Sequence, residues 1–211
     1  MPVSLSDAVE FLLSSETQST ARLRLLGQYC IEAFAREGLT GVGGGKAAEV
    51  GIRGLARQKN WDLAFVLAGK PRLLVSLKSI LKNIGGSIPN RIDDLMGEVA
   101  NAQQLSPELV IGYVVIMDEK LDFFRGRTKN ETWIDFFETC LAKITIRQAP
   151  LWNQGLLEGS WLIRIDTRKP AGQRIVNPVE TEERGIRFVR ALLRELYLRE
   201  PTLRPPRPPV A

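Results

Sequence analysis

No histidine occurs among the 211 residues. That absence removes the commonest zinc ligand and the commonest general base, and with them Ser-His-Asp, Cys-His and zinc-hydrolase chemistry. Cysteine is almost as scarce. Cys30 and Cys140 are far apart in sequence, without the short spacing that a zinc site or redox pair requires, so both read as buried thiols. Nowhere do 18 apolar residues run together, which argues against a transmembrane helix. The opening MPVSLSDAVEFLLSS has no basic stretch, and Asp7 and Glu10 interrupt its apolar residues. No signal peptide is therefore expected, and the cytoplasm is the default location.

What remains is an ordinary globular composition. With 44% hydrophobic and 25% charged residues, the chain can bury a sizeable core, and its length suits one domain over 1–200 followed by a proline-rich tail, 201–211. The 29 Lys+Arg exceed the 24 Asp+Glu by five, a modest excess that favours a polyanionic partner.

Hydrophobic spacing divides the chain further. A helical part over 1–40 is expected, with Ser6 as N-cap and a second helix over 17–37 that Gly38 ends. Gly41 and Gly43 to Gly45 make a loop before a short helix over 46–55. The loop misses the phosphate-binding pattern, which needs Gly at Thr40 and a hydroxyl at Ala47. A hairpin follows, with strands over 61–67 and 73–78 around the turn Ala68-Gly69-Lys70-Pro71. A polar loop over 79–89 leads to a helix over 90–104, capped by Asn90 and carrying Ile92, Leu95, Met96 and Val99 on its apolar face. The run LVIGYVVIM, 109–117, reads as a strand buried on both faces. A helix over 132–144, a strand over 160–165 and a helix over 182–200 complete an α/β pattern with a central mixed sheet flanked by helices.

Phosphodiester cleavage without histidine requires a divalent cation held by carboxylate oxygens, and a nearby lysine can steer the attacking water. Asp62 begins the first hairpin strand and Lys78 ends the second, with Ser76 on the same face as Lys78 by strand alternation. An Asp on one strand and acid-x-Lys on the next is the signature of the PD-(D/E)xK nuclease superfamily. Trp61-Asp62-Leu63, Ser76-Leu77-Lys78-Ser79 and the stretch from Asn90 through Asp94 to Glu98 resemble, in this order, parts of its type II restriction endonucleases. The resemblance covers about 49–104. It implies a restriction-endonuclease-like core over about 46–166, magnesium as cofactor, double-stranded DNA as substrate, and sequence-specific cuts that leave 5′-phosphate ends.

The resemblance departs from the pattern at Ser76, which cannot supply a charged ligand. In a similar branch of restriction enzymes the missing carboxylate comes from the following helix, and here Arg91, Asp94, Glu98 and Asn101 form one polar stripe at spacings of three, four and three. Glu98 is the first choice as ligand beside Asp62, then Asp94, then Asp93. The Leu77 or Val75 carbonyl could complete the site, and Glu49 on the preceding short helix is a further acid. For DNA contact, the polar segments 79–91, 120–129 and 147–154 offer Lys82, Asn83, Asn90, Arg91, Arg125, Arg127, Lys129, Asn153 and Gln154. A palindromic target would match a two-fold homodimer. Two competing readings stay open: a structure-directed or repair nuclease, and a noncatalytic DNA-binding module whose metal site has degenerated.

Overall fold

A computed structural model describes residues 2–16, 20–44, 49–127 and 130–203. Five strands form a mixed sheet in the order β1 (Val42–Gly44), β4 (Leu63–Leu67), β5 (Lys70–Ile80), β6 (Val110–Asp118) and β7 (Gly159–Ile165). β4 is antiparallel to β1 and β5, whereas β5, β6 and β7 run parallel. β2 (Val50–Arg53) and β3 (Gln58–Trp61) form a separate antiparallel hairpin.

Helices cover both faces. α1 (Leu5–Ser14), α2 (Arg24–Arg36) and α5 (Pro178–Arg199) pack on the side of Leu73, Val75 and Leu77. α3 (Ile84–Leu105) and α4 (Trp133–Ile144) pack on the side of Leu74, Tyr113, Val115 and Met117. β6 lies between β5 and β7 and is buried at all nine positions, as its unbroken apolar run requires of a central parallel strand. Among the described residues, no helix is long and apolar enough to cross a membrane.

Several boundaries differ from the sequence expectations for identifiable reasons. The first N-cap is Ser4, not Ser6: its hydroxyl accepts from the Asp7 N–H while the Asp7 carboxylate accepts from the Ser4 N–H, a reciprocal capping box. α2 starts at Arg24 after a 3-10 turn at Thr20–Leu23. The region expected as a helix over 46–55 contains β2; Gly45, Lys46 and Ala47 of the glycine loop lie outside the described residues. α3 begins at Ile84, six residues before Asn90, with Asn83 as its N-cap in the left-handed region at φ 43°, a conformation that Asn tolerates. Pro89 lies inside it, so the proline that reads as a helix breaker is carried within the helix. α5 starts at Pro178, a first helical position where the missing N–H has no intrahelical partner to lose.

Candidate active site

Asp62 stands at a bend between β3 and β4 rather than inside a strand. Trp61 and Leu63 on either side are buried at 2% and 0% exposure, which fixes the backbone that carries the carboxylate. β5 continues past the start of β4, where Leu63 pairs with Val75, so the Leu77 N–H has no β4 strand partner. The Asp62 Oδ2 accepts it at 2.7 Å. Gly44 (φ 109°) presses on the same bend, since a Cβ there would meet the Asp62 carbonyl oxygen at 2.1 Å; only glycine fits.

Burial pushes the Asp62 carboxyl up, while the Lys78 ammonium and the Leu77 N–H draw it back down and Glu49 pushes it further up. Asp62, Lys78 and Glu49 therefore share one neighbourhood. Glu49 is not on a helix: it precedes β2, and the register pairing Val50 with Trp61 carries it opposite Asp62. Hairpin geometry thus brings this acid to the aspartate.

Ser76 is buried at 3% and pairs across the parallel ladder with Tyr113, itself 1% exposed. The Tyr113 hydroxyl is buried without a hydrogen-bond partner among the described residues. Burial pushes it up; Arg91 opposes the shift, and Asp94 and Asp62 add to it. A closed apolar strand thus presents a single polar atom to the side of the sheet that faces α3.

α3 returns over that face as the crossover from β5 to β6. Asp94 is within electrostatic reach of the Tyr113 hydroxyl, whose residue pairs with Ser76, and Glu98 lies about one turn further along the helix. Glu98 forms an ion pair with Lys59 of β3. Arg91 reaches Asp94 at 3.4 Å. Asn101 accepts from the N–H groups of Ala56 and Arg57 and donates to the Arg57 carbonyl, pinning the turn of the β2–β3 hairpin. The polar stripe therefore meets the hairpin and lies beside the buried arc of Ile88, Leu95, Val99 and Ala102, not opposite it. Met96 falls outside that arc and is 45% exposed. Asp93 is exposed as well, about 100° round the helix from Asp94, away from the stripe.

Lys59 is the residue the sequence reading missed. Burial pushes its ammonium down, with Lys78 and Arg57 adding to the effect and Asp94 and Asp62 opposing it. Its signal was available: it lies two residues before the buried Trp61 and so shares that side of β3. Arg22, from the 3-10 turn before α2, also belongs nearby; burial lowers it and the Arg91 charge lowers it further. Cys30 is buried, and burial pushes its thiol up to about 12, which makes it an inert core group; Cys140 is half-buried, not buried.

The other DNA-contact candidates separate into groups. Lys82, Asn83 and Asn90 are exposed around the start of α3, and Arg125 and Arg127 are exposed on the link between β6 and α4. Lys129 lies outside the described residues. Asn153 and Gln154 are exposed just before β7, at the amino end of the parallel strands, whereas Lys78 lies near the carboxyl end of β5. Arg147, in the same polar segment, is buried at 5% against Glu158 and is not a surface group.

Among the described residues, no three Asp, Glu, Cys or His side chains gather as a ready-made metal cage. Magnesium is commonly held by one or two carboxylates with water filling the remaining positions, and the donor set of Asp62, Asp94 and the Leu77 carbonyl fits that demand. Comparisons with protein-family models, with curated proteins and with solved structures find nothing that matches this chain.

Proposed function

We propose that this chain is a magnesium-dependent DNA endonuclease of the PD-(D/E)xK type, acting as a type II restriction enzyme on double-stranded DNA. The observation that carries the reading is the Asp62 carboxylate, held by the Leu77 N–H, beside the Lys78 ammonium and opposite Glu49. A half-buried carboxylate with a raised proton affinity, at a bend within electrostatic reach of a strand lysine, suits metal and water handling.

Asp62 and a carboxylate of α3 would hold the metal. Asp94 now precedes Glu98 as that second ligand, because Glu98 is already matched by Lys59. Bound magnesium would supply Lewis-acid stabilisation of the phosphate and a more acidic water. Lys78 donates hydrogen bonds that orient the attacking water. Arg91, with Arg22 behind it, faces the incoming phosphate, and Lys59 fixes Glu98 so that its charge does not compete for the same position. In-line attack would leave a 5′-phosphate and a 3′-hydroxyl. A homodimer would cut both strands of a palindromic site, one per subunit.

Incubating the protein with unmethylated genomic DNA in magnesium and sequencing the fragment ends tests this directly. Ends sharing one short sequence are expected. Ends defined by branched or damaged sites would indicate a structure-directed nuclease, and binding without any cutting would indicate a DNA-binding module.

A further inference from the structure

The link between β6 and α4 folds into a small finger. The Arg125 N–H donates to the Glu131 carbonyl at 2.8 Å, the Trp133 N–H donates to the Phe123 carbonyl at 3.2 Å, and Phe124 bridges antiparallel to Thr132. The base of the finger is a packed pile: Trp133 meets Phe123 edge-on at 6.4 Å and Phe136 at 5.9 Å, and the Arg125 guanidinium lies 3.9 Å from the Phe136 ring centre.

This pile rests on the first turn of α3. A Cβ at Gly85 would stand 3.0 Å from both Phe123 Cζ and Trp133 Nε1, so glycine is what lets the finger approach. Gly85 follows closely on Ile80, the end of the strand that carries Lys78. The finger therefore stands at the carboxyl end of β5, on the same edge as the proposed site.

Its outer surface is apolar and cationic together. Phe123 and Phe124 are consecutive and 54% and 53% exposed, and among the described residues no aromatic ring packs against Phe124. Arg127 and Lys82 are exposed there, the latter at the neighbouring start of α3, while Arg125 is also ion-paired with Glu131 at 3.5 Å. A two-fold contact between copies through this patch would set the exposed Arg127 against its own counterpart, which is unfavourable. A nucleic-acid base suits both features: it offers a flat π face to the ring and brings flanking phosphates to the cations.

We propose that the finger is a base-stacking element in which Phe124 packs on an unstacked DNA base while Arg127 and Lys82 hold adjacent phosphates. This rests on the chain being a DNA enzyme, and the test keeps the two apart. Calcium replaces magnesium to prevent cutting, and binding is measured to random-sequence duplex, to random-sequence single strands and to an abasic strand of equal length. Wild type should prefer the strand with bases over the abasic strand by about tenfold, within the range expected for one stacked base. Phe124→Ala should abolish that preference at unchanged melting temperature, and Phe124→Trp should retain it. Arg127→Gln should lower the salt dependence by about one counterion unit.

A base preference that survives Phe124→Ala, or a wild type that binds both strands equally, overturns the finger while duplex binding keeps the DNA reading alive. If Phe124→Ala changes sedimentation but not DNA affinity, the patch is a self-contact and the proposal falls. Failure of wild type to bind any of the three would sink the DNA reading itself.

Discussion

Two clusters of charge, one buried and one half-open, occupy opposite ends of the same sheet, and they obey opposite rules. At the amino end of the parallel strands, Glu158 is fully buried between Arg147 and Arg199 and also accepts from the Ile111 N–H. Glu195 accepts from the Trp152 indole and the Ala149 N–H, and Arg147 donates to the carbonyls of Leu109, Pro107 and Trp152. Each carboxylate there is met by several donors. Around Asp62 the balance differs: one carboxylate oxygen has a backbone partner, Lys78 stands beside it, Tyr113 has an unpartnered hydroxyl, and Asp94 is exposed on its helix. Saturated carboxylates tie α5 and the 147–158 segment to the sheet, although the Arg199 Nε is buried there without a hydrogen-bond partner among the described residues. Unsaturated charge leaves donors and acceptors for something else to bind.

The largest expected effect breaks one cluster without the other. Asp62→Ala and Lys78→Ala should reduce DNA cutting to background while duplex affinity in calcium and the melting temperature stay near wild type. Full activity in either variant would remove Asp62 and Lys78 from the chemistry. The converse is expected for Glu158→Ala, which leaves two guanidiniums in the interior: a loss of about 3–5 kcal/mol of stability, measured by urea unfolding, with no cleavage defect in the fraction that remains folded.

Smaller changes sharpen the contrast. Asn101→Ala removes the side chain that holds the β2–β3 turn; a stability loss of about 1–2 kcal/mol is expected from these hydrogen bonds, with a partial fall in cutting because Lys59 and Glu49 lose their frame. Asp62→Asn should do the reverse to stability. The folded protein holds the raised Asp62 proton to higher pH than the unfolded chain does, so wild type loses stability as pH rises through that window and the amide does not. The variant's thermal advantage should be absent in acid and reach about 2–4 °C near neutral pH for each ~1 kcal/mol relieved, in an enzyme that no longer cuts. A melting difference independent of pH would show that Asp62 is not strained by burial.

Much of this architecture could be read from the residues. The 109–117 run declares a central strand because both its faces are buried, and Thr132 caps α4 through the Asp135 N–H. The β2–β3 hairpin could not be read, since its turn is held by Asn101, far away in sequence. The sequence pattern starts α3 six residues too late because Gly85, Gly86 and Pro89 look like breakers, whereas Gly85 is glycine to admit Phe123 and Trp133. Asp62, expected within a strand, stands at the bend before β4, and Lys78, expected at a strand's last position, stands two residues inside β5. Lys59, Tyr113 and the approach of Glu49 to Asp62 depend on register between strands, and register is a property of the assembled sheet.

The three residues Leu81 to Asn83 that join β5 to α3 set the rotational phase of the helix against the strand. Each added or deleted residue would turn α3 by about 100°, taking Asp94 off the sheet and presenting a different side chain to Asp62. In the proposed site, helix residues could stand in for the acid missing at Ser76 only while this short link keeps its length, so its length would constrain the site as much as the identity of the acid.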